Sequence, residues 1–282
     1  MKTKEKEKST ALATKPKVET GIVDWNAELK RQAEAAAKQE AAAGGGQFFS
    51  LKAGQLSFGG AVLPGNQMAV IIIDHISENT YYDKPYDADQ PGTPICYAFG
   101  RDDETITPHD DVSEPQHDAY DAETEKGGCM RCPLNQWGSA DMGRGKKCKN
   151  RRRLACVSAG TLDKDGDLVE LVDAKQVADS TCGFLGLPPT AINGWAKYVK
   201  NLANVLGRPP RGVITKVTVV PDAKTQFRVE FTPMGSVPDE LMGAVMVRVK
   251  EVAGQIEMPY QAPAETAAPA KPAAKVGAKK KY

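Results

Sequence analysis

No apolar run in this chain approaches the roughly 20 residues that a membrane-spanning helix needs, so a membrane protein is excluded on sequence grounds. Behind the charged start MKTKEKEKST there is no apolar h-region, so no secretory signal is expected and the protein is placed in the cytoplasm. A phosphate-cradling loop is missing too. Gly44-Gly45-Gly46 lacks a following Lys-Ser/Thr, and Gly143 to Lys147 lacks the earlier glycine and the hydroxyl. A zinc deaminase would need His-x-Glu ahead of Pro-Cys-x-x-Cys; that motif is absent, and Pro133 follows the second cysteine instead. His75 stands beside Asp74 but has no Ser or Cys nucleophile context. No catalytic residue is assigned, and an enzyme is not expected.

The 282 residues are 41% apolar and 26% charged, a globular composition, and aromatics are scarce at 6%. Net charge is also small, +1, which looks unlike a nucleic-acid binder until it is counted by segment. Residues 1–20 carry +3, residues 261–282 carry +4 and residues 21–260 carry −6. Within that middle part, Asp102 to Glu125 holds ten acidic side chains and no Lys or Arg, whereas Lys126 to Arg153 holds nine basic and one acidic. Near-neutrality is a cancellation of blocks.

Both tails, Lys/Glu/Thr-rich at the start and Ala/Pro/Lys-rich after residue 260, are expected to be disordered, because they offer too little apolar surface to offset chain entropy. Trp25 to Ala43 favours a loosely attached helix that Gly44 to Gly46 ends. The layout is thus a flexible basic segment 1–46, a folded domain 47–260 and a tail 261–282. An insertion over 97–150 would carry the acidic loop 102–125. Strands are predicted around Phe49 to Phe58, Met68 to Ile73, Pro94 to Phe99, Arg153 to Ala159 and Leu168 to Val172, with Asp163 to Asp167 as a hairpin turn. A helix capped by Thr190 carries Ile192, Trp195, Val199, Leu202 and Leu206, and a last helix opened by Ser236 and Pro238 carries Leu241, Val245, Val249 and Val252. Val213 to Val220 and Gln226 to Phe231 form a hairpin between the two helices. The predicted fold class is α+β and β-rich, a small Greek-key barrel with two helices in its C-terminal half.

Six cysteines in a reducing compartment point to metal or buried thiols before disulfides. Cys129 and Cys132 are separated by two residues, so one tight turn brings both thiolates to a Zn²⁺, and Cys148 arrives after a basic loop. Candidates for a fourth ligand are Cys96, His109, His117 and Cys156. Cys96 suits a clamp, since the long loop leaves from its strand end and must return. The histidines would have to be ordered out of an acidic loop, Cys156 shares a strand face with Leu154 and reads as core, and Cys182 reads as a core thiol. The expected site is structural zinc on Cys96, Cys129, Cys132 and Cys148.

Arg144, Lys146, Lys147, Lys149, Arg151, Arg152 and Arg153 fall within ten residues, and a metal-pinned backbone would hold such cations at fixed spacing for a phosphate chain. Single strands also need flat surfaces for stacking; Tyr81, Tyr82, Tyr97 and Trp137 are the candidates, while Trp195 and Tyr198 read as packing residues on a helix.

Phe49 through Phe58-Gly59-Gly60, Glu78 to Tyr82, Pro94 to Phe99, Cys129 to Ala155 and Leu187 to Ala203 together resemble tailed-bacteriophage proteins described as single-stranded-DNA-binding. The resemblance spans about 200 residues. It implies an oligonucleotide-binding (OB-like) barrel with a zinc-binding insertion, acting in replication or recombination in the host cytoplasm, with a phage or host polymerase as a further partner. Proteins of that function commonly end in an acidic tail that recruits partners; here Lys279-Lys280-Lys281 stand instead, so recruitment by that route is not expected. When DNA is absent, two behaviours are open for the acidic loop: folding back on the basic strip, or remaining a solvated loop that keeps the protein soluble. A DNA-binding transcription factor that recruits a polymerase is the alternative, and a metal-dependent nucleic-acid enzyme a further one.

Overall fold

The computed structural model describes residues 28–29, 31–33, 48–84, 92–112 and 128–260. The chain divides into two units, Met1–Gly44 and Gly45–Tyr282. In the first, the described residues are helical, and Glu28 and Arg31 form an exposed ion pair at 2.8 Å across one turn. The rest of the predicted Trp25 to Ala43 helix and both predicted tails lie outside the described residues.

The second unit is a mixed α/β body built on one large sheet. Its strands are β1 (Phe48–Ser50), β2 (Ser57–Phe58), β3 (Ala61–Val62), β4 (Gln67–Tyr81), β5 (Cys96–Gly100), β6 (Lys149–Leu162), β7 (Leu168–Leu171), β8 (Gly183–Leu187), β9 (Val213–Asp222) and β10 (Gln226–Ser236). Its helices include α1 (Ala174–Asp179), α2 (Ile192–Asn201) and α3 (Asp239–Val252). Strands neighbour one another in the order β10-β9-β4-β6-β8-β1-β2-β3, while β5 pairs with β4 and β7 with β6. Among the described residues this path is open, with β10 at one end and β3 at the other. Nor is any helix there long and apolar enough to cross a membrane.

Met68 to Ile73 is buried at every residue because the sheet is covered on both faces. Met68, Val70 and Ile72 pack with Trp195, Tyr198 and Leu202 of the α2 segment. Ala69, Ile71 and Ile73 pack with Val177 of α1 and with Leu241, Val245 and Val252 of α3. Each such aliphatic side chain contributes about 1.5–3 kcal/mol by leaving water. A strand wet on neither face reads as a continuous apolar run instead of an alternation.

β4 continues past this run because its register slips twice against β6, at Ala69/Val70 and at Ile72/Asp74. Such bulges bend a strand and re-aim its side chains. Before them one edge of β4 holds β9, to Ile71; beyond them the strand holds β5, from Ser77. The bent end therefore carries Ser77 to Tyr81 to the place where Cys96 and the insertion arrive.

Several local expectations change. Thr190 caps nothing: Pro188 and Pro189 lead through a 3-10 turn, and α2 starts after Ala191 without a side-chain cap. α1 has no counterpart in the hydrophobic pattern, yet Asp173 and Gln176 form a reciprocal capping box at its start. The DKDGD turn forms as predicted, Asp163 Oδ1 accepting from the Asp165 and Asp167 amides at 2.9 Å. β6 begins at Lys149, so four of the seven clustered cations lie on a strand.

Candidate metal centre and nucleic-acid interface

Cys96, Cys129, Cys132 and Cys148 line one pocket of about 20 Å³, together with Asn79, Tyr81, Leu134 and Asn135. That is room for about one water-sized particle. Burial first, and then the neighbouring cysteines, push the Cys96 thiol up to about 12; burial pushes Cys129 up to about 11 against a hydrogen bond with Asn79. Burial and the three other thiols also raise Cys148. Among the described residues no group of three or more His, Cys, Asp or Glu stands as a closed metal-holding set.

The backbone around them is pinned. Cys129 donates its amide to Ile106 O at 3.0 Å, Asn135 to Cys132 O at 3.0 Å and Cys148 to Leu134 O at 2.9 Å. Asn135 Nδ2 donates to Cys129 O at 2.7 Å, and Gln136 Nε2 to Cys132 O at 3.2 Å. Gly128 is required just ahead of Cys129: its φ is +60° and a Cβ there would lie 2.6 Å from Ile106 O. Of the other candidate ligands, His109 packs its ring 5.1 Å from Tyr97, accepts from the Asp111 amide and does not line the pocket. Cys156 is in the sheet core. His117 and the loop over 113–125 lie outside the described residues.

After Cys132 the chain makes a compact loop whose Trp137 is 80% exposed, with Lys146 Nζ 5.5 Å from its ring centroid. Arg144 and Lys149 are exposed beside it in sequence. Lys147 pairs with Asp141 at 2.7 Å, and Lys146 also donates to Asn135 Oδ1 at 3.2 Å. Trp137 is thus an accessible ring among cations. Tyr97 is not: it is 6% exposed and packed against Phe99, His109 and Tyr260, so the expectation that it stacks bases is replaced by a packing role. Tyr81 is half-buried and lines the cysteine pocket. Tyr82 is half-buried elsewhere, in a groove beside β1.

The cations of β6 do not form one strip, because a strand sends alternate side chains to opposite faces. Asn150 turns toward the insertion, donating to Asn79 Oδ1 at 2.6 Å and Asn135 Oδ1 at 2.9 Å. Arg152 pairs with Asp103 at 2.7 Å. Arg153 is 2% exposed and paired with Glu78, and its Nη1 donates to Ile256 O at 2.9 Å and Met258 O at 3.0 Å. Its guanidinium also lies 4.3 Å from the Phe99 ring centroid, 5.4 Å from that of Phe48 and 5.6 Å from that of Tyr260. Arg153 therefore leaves the phosphate-contacting set: its donors are spent inside the protein. Arg151, opposite Glu78 in the β4–β6 ladder, is half-buried and keeps a buried Nε without a hydrogen-bond partner.

Arg151 lines the groove beside β1, a cavity of about 600 Å³ that sequence reasoning missed, with Phe48, Phe49, Tyr82, Phe227 and Tyr260 among its walls. Its aromatics come from β1, β10, the end of β4 and the chain just after α3, which no local pattern connects. Gly183 lets β1 close on the sheet, since a Cβ there would lie 2.4 Å from the Phe49 ring. Tyr260 donates its hydroxyl to Glu78 Oε1 at 2.7 Å.

No protein-family model, curated protein or solved structure matches this chain. Its function must be read from the sheet, the cysteine pocket and the two surfaces where aromatic rings meet cations.

Proposed function

We propose that this protein is a non-catalytic binder of single-stranded DNA, of phage type, that protects or organises strands during replication or recombination. The observation that carries the reading is Trp137: a large ring left 80% in solvent, under a lysine, on a loop of basic residues. A groove or patch that joins cations to open aromatic faces suits an unpaired strand, whose bases need stacking partners and whose phosphates need counter-charge. The sheet, open among the described residues and bent at its widely shared β4, is read as a partly open, OB-like barrel, and the pocketed thiols as a structural zinc clamp. Cys96, Cys129, Cys132 and Cys148 supply the four sulfur donors such a site takes. Zinc there would fix the loop that carries Trp137 and the lysines; it supplies no chemistry.

Phosphates are assigned to Arg144, Lys146, Lys147, Lys149 and Arg151. Five contacts give a slope of log affinity against log salt of roughly −3 to −4, at about −0.7 per contact for single strands. Fluorescence titration of labelled single strands, duplex and RNA at several salt concentrations, with metal analysis of the same sample, tests the reading. Binding that ignores salt, or that favours duplex, overturns it.

A further inference from the structure

We infer that the groove between β1 and the segment Met258 to Tyr260 is a base-binding subsite, separate from the Trp137 surface, in which unpaired nucleobases stack and Arg151 holds the adjoining phosphate. The inference rests on the single-strand reading and extends it to a second place on the molecule. Three observations carry it.

The first is shape and lining. At about 600 Å³ the groove lies within the roughly 300–1,000 Å³ of sites that hold planar organic ligands. Phe48 is 43% exposed, and Tyr82 and Tyr260 are half-buried, so ring surface remains open to the cavity. The second is charge. Glu78, the acid in the lining, is already matched by Arg153 and the Tyr260 hydroxyl. Arg151 has no acidic partner among the described residues and keeps an unpartnered buried Nε. What remains to be satisfied is a cation and a donor, which suits an anionic strand better than an acidic or neutral apolar peptide.

The third is the sheet edge. β6 pairs with β8 only from Arg152 onward, so Lys149 to Arg151 are held by β4 on one side and have no strand on the other among the described residues. Asn150 faces the insertion while Arg151 faces the groove. A strand crossing that edge meets Lys149 on the way from one aromatic surface to the other. Bases must leave a duplex to enter such a groove, which gives single-strand selectivity.

The test uses the full chain with labelled oligothymidylate and an abasic strand of equal length and charge. Wild type should prefer the base-bearing strand. Phe48→Ala with Tyr82→Ala should weaken that strand's binding by about tenfold or more and leave the abasic strand nearly unchanged, since each stacked base contributes that much. Arg151→Gln should weaken both strands. Phe48→Leu, which keeps apolar packing on Phe184 but removes the flat ring, guards against a folding defect read as a binding defect. Photo-crosslinking with 5-iodouracil should place adducts on Phe48, Tyr82 or Tyr260. If these variants keep the wild-type base preference and adducts fall only on the insertion while Trp137→Ala abolishes the preference, the subsite is disproved and the single-strand reading survives. If wild type binds neither strand, both fall.

Discussion

Among the residues, Arg153 shows how far identical side chains can diverge. In sequence it ends a run of three arginines; in the fold it is the buried partner of Glu78, with three aromatic rings around its guanidinium. Removing one member of a buried pair leaves the other charge uncompensated. Arg153→Ala should therefore cost about 3–5 kcal/mol in urea unfolding, with Arg153→Met costing less if Glu78→Gln accompanies it. Asp74 and His75 set a pH dependence. Burial raises the Asp74 carboxyl, but the two hydrogen bonds from Arg101, at 2.8 and 2.6 Å, and the His75 amide outweigh it and hold the group below its ordinary value. Burial also holds the His75 imidazole below its ordinary value, with Asp74 opposing and Arg101, Arg152 and Arg211 reinforcing. Both folded values are depressed, so each stabilisation is complete above the unfolded value and lost as pH falls: from about 6.5 for His75 and about 3.9 for Asp74. His75→Gln should flatten the stability curve just below pH 6.5, by roughly the lost linkage. Arg101→Ala should move acid unfolding, monitored by circular dichroism, to higher pH. The Arg153–Glu78 and Arg101–Asp74 pairings are not legible in sequence, because each joins residues that only the folded sheet brings together.

Among the elements, the apolar strands and helices were readable, since Met68 to Ile73 and the α3 stripe announce themselves by run length and spacing. The start of β6 was not, because a strand made of Lys, Asn and Arg looks like a loop; what makes it a strand is the bent half of β4 lying beside it. That strand also explains why Arg152 meets Asp103, near the start of the acidic loop. Asp103 is held below its ordinary value, burial opposing while Ser77, Arg152 and Lys146 prevail. Asp103→Asn should free Arg152 and tighten single-strand binding a few-fold, read by the same titration; unchanged affinity would falsify an inhibitory role for that contact. In the insertion, Gly128→Ala would force a left-handed backbone and a clash with Ile106 O. Its expected effect is a loss of about 1 kcal/mol or more and, if the four thiols hold zinc, weaker metal binding, because Cys129 is the next residue. Cys96, Cys129, Cys132 and Cys148, singled out in sequence, line one pocket; the aromatic groove had no sequence signature.

For the whole molecule, near-zero net charge is the sum of internal pairings and surface surplus. Asp74, Glu78 and Asp103 absorb Arg101, Arg153 and Arg152, while Lys146 stays over Trp137 and Arg151 lines the groove. If zinc clamps the insertion, Cys129→Ser should release metal and melt the loop around Trp137 before the sheet, seen as a change in tryptophan emission below the main transition. The sheet should persist, since its two buried faces make no use of the thiols. The rings of Phe48 and Tyr260, the first and last described residues of the second unit, lie against one guanidinium. The fold is in this sense already a ring with one link missing. A chain reopened within the Asp163 to Asp167 turn, with a short Gly/Ser link joining residue 260 to residue 48, should keep the sheet intact. A fusion partner attached directly at residue 48 or residue 260 would instead stand at the wall of the groove.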